Sequence, residues 1–168
     1  MPEIYFLEGP VGAGKSTVAL QLQDEKGAVH LCLDDWMNVL YSSDRPDGDV
    51  VAWYTERKKR CIGQIWKIAV AILNTGSSVI LELGLIQRSD REVFFDEIGP
   101  LGYVVYLYVI DAPKNVRKER VRSRNREQGP TFSMVVSDEV FEFANNLWEP
   151  LTEDEASLFG FRYRAKQS

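Results

Sequence analysis

Apolar residues along the chain gather into four short, nearly unbroken runs separated by longer mixed segments. The runs are Ile4–Glu8 (IYFLE), Ala28–Leu33 (AVHLCL), Ser78–Leu83 (SVILEL) and Tyr103–Ile110 (YVVYLYVI). Continuous hydrophobicity over so short a span marks a strand covered on both faces, so these four are predicted central strands. Helix-length segments lie at about 15–25, 49–75, 89–98 and 113–125, and the last begins at Pro113, whose fixed φ suits a helix start after a strand end. Strand and helix in alternation predict a parallel sheet with right-handed crossovers. Ser137, Asp138 and Glu139 can cap a further helix running to about Leu147, which Glu149–Pro150 stops, and Ser157–Arg164 (SLFGFRYR) reads as an edge strand. The expected fold is α/β, a three-layer sandwich around a mainly parallel sheet of about five strands.

Composition narrows the classes without changing that picture. The 168 residues, 45 % hydrophobic and 27 % charged, fit one soluble domain spanning 1–168, and no apolar stretch reaches the length of a membrane span. The opening MPEIYFLEG lacks a basic n-region and a small-residue cleavage site, so a cytoplasmic protein is expected. Cys32 and Cys61 stand far apart with no CxxC or Cys/His cluster, which argues against a disulfide framework and a zinc site. The net charge of −5 weighs against extended nucleic-acid binding. One window reverses the sign: residues 117–126, RKERVRSRNR, hold six basic residues and one acid. A local positive site on an acidic chain suits a small, highly charged anion better than a polymer.

Such an anion has an obvious seat. Gly9-Pro-Val-Gly-Ala-Gly14-Lys15-Ser16 satisfies G-x-x-x-x-G-K-[ST] between a predicted strand and a predicted helix. Glycines let the loop amides, including those of Val11, Gly12 and Ala13, converge on phosphate oxygens, and the helix opening at Ser16 and Thr17 presents its positive end. Lys15 is expected to reach the β/γ-phosphates of ATP, and Ser16 to carry Mg²⁺.

With this loop the chain resembles the small P-loop kinases, the group of shikimate, gluconate and nucleoside-monophosphate kinases, chloramphenicol phosphotransferase and zeta toxins. Its runs LGLIQR and VRSRN…FSMVVSDEVFEFANNLWEPLTEDE are similar to those of AAA-family ATP-binding sequences of this size, although no second helical domain or sensor motif of the oligomeric AAA+ machines is legible. The resemblance implies roles for residues elsewhere in the chain. Asp34 and Asp35 follow the second strand, at the sheet edge where ligands of open α/β folds collect. Asp34 is the expected general base and Asp35 a substrate or Mg²⁺ ligand; the two could be exchanged, and either could instead cap a following turn. Glu82, in VILELG, takes the position of a metal-binding acid, where aspartate is more usual. Arg88 resembles an arginine that grips the acceptor, and equally suits a solvated helix start.

The basic run looks like a helix entering a lid at about 122–136. Arg117, Arg120 and Arg124 share one face, and the resemblance implies that Arg120 and Arg124 bind ATP and offset charge on the transferred phosphoryl group, with Arg122 meeting the phosphates from the lid. A plain solvated helix face is the alternative. Trp36, beside the Asp pair, could line an acceptor pocket together with Trp53 and Tyr54, whereas Trp66 reads as core and His30 as a structural residue. The expected activity is transfer of the ATP γ-phosphate to a hydroxyl of a small-molecule acceptor, by a monomer or homodimer. The rivals are a polynucleotide or nucleotide-sugar kinase and a non-kinase ATP-binding regulatory switch.

Overall fold

The computed structural model describes residues 1–130 and 132–167, Gln167 by its backbone alone. Five strands, β1 (Glu3–Glu8), β2 (Val29–Cys32), β3 (Val79–Glu82), β4 (Val104–Asp111) and β5 (Arg162–Gln167), form one sheet in the order β2-β3-β1-β4-β5, and every pairing is parallel. Helices α1 (Lys15–Lys26), α2 (Leu33–Tyr41), α3 (Val50–Asn74), α4 (Arg88–Ile98), α5 (Lys114–Glu127), α6 (Asp138–Leu147) and α7 (Glu153–Leu158) complete the chain.

Alternation along the strands divides the interior between two faces. On β1, Ile4 and Phe6 join the larger core with Ile65, Leu73, Phe94 and Phe95 from α3 and α4, whereas Tyr5 and Leu7 join Val18, Ala19 and Leu22 of α1. Phe6, Phe95 and Phe161 continue the larger core edge to face, with ring centroids 5.2 and 5.3 Å apart. From β1 the chain turns one way to β2 and β3, and from β3 it crosses back to β4, so the crevice beyond the carboxyl ends of β1 and β3 is the topological switch point.

Three elements differ from the sequence expectation. β2 ends at Cys32 because α2 starts at once: Leu33 and Met37 bury one helical stripe while Asp34 and Asp35 occupy its first turn, where the helix dipole favours anions. The expected edge strand over 157–164 is displaced to Arg162–Gln167. Thr152 accepts from Glu155 N at 3.2 Å and so caps α7, and Gly160, at φ 68, turns the chain into β5. The lid expected at 122–136 is helical as far as Glu127. Asn125 then clamps Val136, its Nδ2 donating to Val136 O at 2.7 Å and its Oδ1 accepting from Val136 N at 3.1 Å. Thr131, inside that expected lid, lies outside the described residues.

Candidate active site

The loop from Gly9 to Gly14 is closed down by close packing. A Cβ on Gly9 would stand 2.1 Å from Ile110 O, and one on Gly12 2.6 Å from Arg117 O, so β4 and α5 press against the loop where only glycine fits. Arg117 braces the other side: buried, it donates from Nε to Ala112 O at 2.9 Å, from Nη1 to Val11 O at 3.0 Å and from Nη2 to Asn145 Oδ1 at 2.7 Å. Ala13 N closes the turn onto Pro10 O at 3.1 Å, and Gly14, at φ 102, opens α1. Lys15 folds over the loop, Nζ donating to Gly9 O at 2.8 Å and Pro10 O at 3.3 Å. Thr17, Gln21, Arg120 and Lys166 border a cavity of about 340 Å³ on the flank of α1. Arg120 Nη1 also donates to Ala13 O at 3.4 Å.

On the α1 face of the sheet, Ser16 Oγ donates to Glu82 at 3.0 Å (Oε1) and 3.2 Å (Oε2), and His30 Nε2 lies 3.1 Å from Glu82 Oε2. Burial alone would raise the Glu82 carboxyl, but the His30 hydrogen bond, the Lys15 charge and the Ser16 hydroxyl together hold it below the usual carboxylate range. Glu82 is thus a buried anion beside the loop, and the oxygen donors of Ser16 and Glu82 suit a hard cation such as Mg²⁺. A second cavity, about 170 Å³, is bordered by Ser16, His30, Cys32, Asp35 and Ser133. Asp35 accepts a hydrogen bond there from Ser133 Oγ, which ties α2 to the segment after α5.

Asp34 faces the same phosphate loop from α2. It keeps solvent access yet is recessed among other groups. Desolvation and the Glu82 and Asp35 charges push its carboxyl up, against the pull of Lys15 and Arg124. Tyr54 lies close enough that burial and the Asp34 charge raise its hydroxyl.

The acceptor-side residues are redistributed relative to the sequence expectation. Arg88 is exposed at the start of α4, its Nε donating to Glu92 Oε1 at 2.7 Å and its backbone N to Glu149 Oε2 at 2.6 Å. Trp36 packs against the larger core. Arg122 does not meet the loop: it is exposed and paired with Asp138 at 3.2 and 2.5 Å.

Arg57 and Lys58 of α3, which the sequence reading did not single out, stand near Tyr54. The Arg57 guanidinium stacks over Trp53 at 4.8 Å and Tyr41 at 5.6 Å, and Lys58 Nζ donates to Gly84 O at 2.9 Å. Among the described residues, the buried side-chain polar atoms without a hydrogen-bond partner are Glu8 Oε2, Trp53 Nε1, Arg57 Nε and Arg124 Nε. Arg124 and Glu8 share the neighbourhood of Lys15, and Trp53 and Arg57 form the aromatic wall beside Tyr54. Buried polar groups are normally satisfied, so unpartnered ones gathered beside a cleft mark where a polar ligand would complete them.

Arg91, also unforeseen, anchors the loop after β3. Fully buried, it pairs with Glu155 of α7 at 2.7 and 3.0 Å and donates to Leu85 O at 3.1 Å and Glu149 O at 2.9 Å. The signal available in the sequence was weak: a single arginine in a helix three residues before the apolar pair Phe94–Phe95.

The profile of the family described as AAA domain matches residues 4–149. A shikimate kinase from Actinobacillus succinogenes is 26 % identical over 157 residues, covering 88 % of this chain and 81 % of that protein. A second, from Alteromonas mediterranea, is 27 % identical over 157 residues, covering 88 % of this chain and 82 % of its own. Among solved structures, a sugar kinase from Janibacter superposes with a TM-score of 0.65 at 17 % identity, over 99 % of this chain and 86 % of that one. The fold is therefore that of the P-loop kinases.

Proposed function

The chain belongs to the AAA domain family, and from that premise we propose that it is an ATP- and Mg²⁺-dependent kinase that moves the γ-phosphoryl group to a hydroxyl of a small molecule. The observation that carries this reading is Asp34: a recessed carboxylate opposite the phosphate loop, facing Lys15 and Arg124, with an aromatic and cationic wall beside it. A nucleotide-binding switch has no use for such a base. The shikimate kinase relatives support a small-molecule acceptor.

In this reading the loop amides and Lys15 hold the triphosphate, and Ser16 and Glu82 hold Mg²⁺, which supplies charge neutralisation at the phosphate oxygens. Asp34 accepts the proton of the acceptor hydroxyl; its raised affinity for that proton makes it a better base than an ordinary surface aspartate. Arg124 and Arg120 offset charge on the group in transfer, and Arg57, Lys58 and Trp53 orient the acceptor. The first test is a mass-spectrometric screen for metabolites that gain a phosphate with Mg-ATP. The expected result is a phosphorylated product that Asp34→Asn abolishes while nucleotide binding persists. Nucleotide binding with no product across the screen would favour the regulatory switch. Strongly salt-dependent DNA or RNA binding would favour a polynucleotide kinase.

A further inference from the structure

His30 and Cys32 have no part in the reaction just described, yet they stand beside its metal position. Two residues apart on β2, they project to one face of the sheet, and Cys32 is the register partner of Glu82 on β3. A ligand atom from each of His30, Cys32 and Glu82 lies within 4.8 Å of the others, and the 170 Å³ cavity bordered by His30 and Cys32 opens onto them. One imidazole nitrogen, one thiol sulfur and one carboxylate oxygen are the donors of a borderline-soft cation, whereas Mg²⁺ takes oxygen almost exclusively. Small side-chain rotations bring such atoms to the edges, about 3.5 Å long, of a tetrahedron around Zn²⁺.

We infer that His30, Cys32 and Glu82 form a three-ligand site for Zn²⁺ or a similar transition metal, its fourth position open to the cavity, and that filling it removes Glu82 from service to Mg²⁺. As the metal binds, the Cys32 thiol releases its proton to solvent and sulfur takes the metal in its place; His30 binds as the neutral imidazole, keeping one proton on the ring nitrogen that does not ligate and releasing any other to solvent, and Glu82 exchanges its hydrogen bonds from Ser16 and His30 for a metal bond. No oxidation state changes. A phosphotransferase built this way is switched off by a metal it does not use. The binding half of the inference stands without the kinase reading; the inhibition half rests on it.

The test titrates CoCl₂ into the full, nucleotide-free chain under a non-thiol reductant and records the absorption spectrum. One equivalent of Co²⁺ is expected to produce an intense near-ultraviolet sulfur-to-cobalt band and tetrahedral visible bands, both bleached by Zn²⁺. Cys32→Ser is expected to lose the near-ultraviolet band and Cys61→Ala to keep it, while His30→Gln weakens binding on the order of tenfold or more. Far-ultraviolet circular dichroism confirms that each variant is folded. A pale octahedral spectrum common to all variants, or a sulfur band that survives Cys32→Ser, overturns the site. In Mg-ATP assays Zn²⁺ is expected to inhibit the parent more strongly than Cys32→Ser. Equal inhibition overturns the competition for Glu82. A sulfur–cobalt band in a chain that phosphorylates nothing upholds the site and sinks the kinase reading instead.

Discussion

The two halves of the cleft are built in opposite ways. The phosphate side is one contiguous stretch, Gly9–Ser16, held by backbone contacts so close that glycine is obligatory, with Lys15 Nζ and Val11 O hydrogen-bonded within the protein. The proposed acceptor side is assembled from α2 and α3, and it holds the unpartnered buried polar atoms of Trp53 and Arg57, while those of Glu8 and Arg124 lie toward Lys15. Backbone amides on a packed loop hold any phosphate chain alike, so that half is generic. Side-chain polar atoms left open for a ligand are specific, because a molecule lacking the matching groups strands them unpaired.

Substitutions can break either half alone. Asp34→Asn keeps the shape and removes the base, so phosphoryl transfer should fall about 10²- to 10⁴-fold while the ATP dissociation constant, measured by calorimetry, stays put. A parallel loss of ATP affinity would mean that the halves are not separable. Next in size is Arg91→Leu, which strands Glu155 in the core and should cost about 3–5 kcal/mol in urea unfolding. The double variant Arg91→Leu with Glu155→Leu should recover much of that loss.

Gly12→Ala attacks the other half. With only 2.6 Å to Arg117 O the loop must shift, and a displacement near 1 Å should lower kcat/KM on the order of a hundredfold while acceptor-side binding, followed by Trp53 fluorescence, is preserved.

A pH profile probes the base directly. The Asp34 carboxyl is raised, so kcat/KM should decline on the acid side with an inflection above the ordinary aspartate value, and Asp34→Asn should erase that inflection. Glu82, held low, remains charged across it. The smallest effect is expected at Glu8, whose buried carboxyl is raised chiefly by desolvation. A group that binds its proton more tightly when folded adds stability at low pH and loses it as pH rises through the folded pKa. Glu8→Gln should therefore leave acid-side stability nearly unchanged, relieve the loss that sets in as pH rises toward neutrality, and flatten that dependence in urea unfolding; a large loss of stability at neutral pH would mean that Glu8 works as an anion.

The same contrast explains what could be read from the chain. The central strands and α1, α3, α4, α5 and α6 follow from periodicity and caps, because each is long or strongly patterned. The loop is legible because its chemistry is local, eight consecutive residues with one purpose. Asp34 can be named as a candidate for a similar reason, since it directly follows the apolar run of β2. Arg57 and Lys58 were not: within ERKKR five charged residues look alike, and only the wall of Tyr41 and Trp53 distinguishes the stacked one. Arg91 depends on Glu155, sixty-four positions away, which no local pattern encodes. β5 was misplaced because a peripheral strand reading RYRAKQ carries little hydrophobic signal, while the apolar SLFGF before it belongs to α7 and a turn. His30 was set aside as structural, although its i, i+2 relation to Cys32 puts both on the face that meets Glu82.

The Asn125 clamp on Val136 has an evolutionary corollary. With both ends of the intervening segment fixed by one side chain, its length is decoupled from the rest of the fold. Doubling such a loop costs only about 0.6 kcal/mol in closure entropy. Descendants of this gene could splice residues between positions 126 and 135 without re-evolving the core beneath.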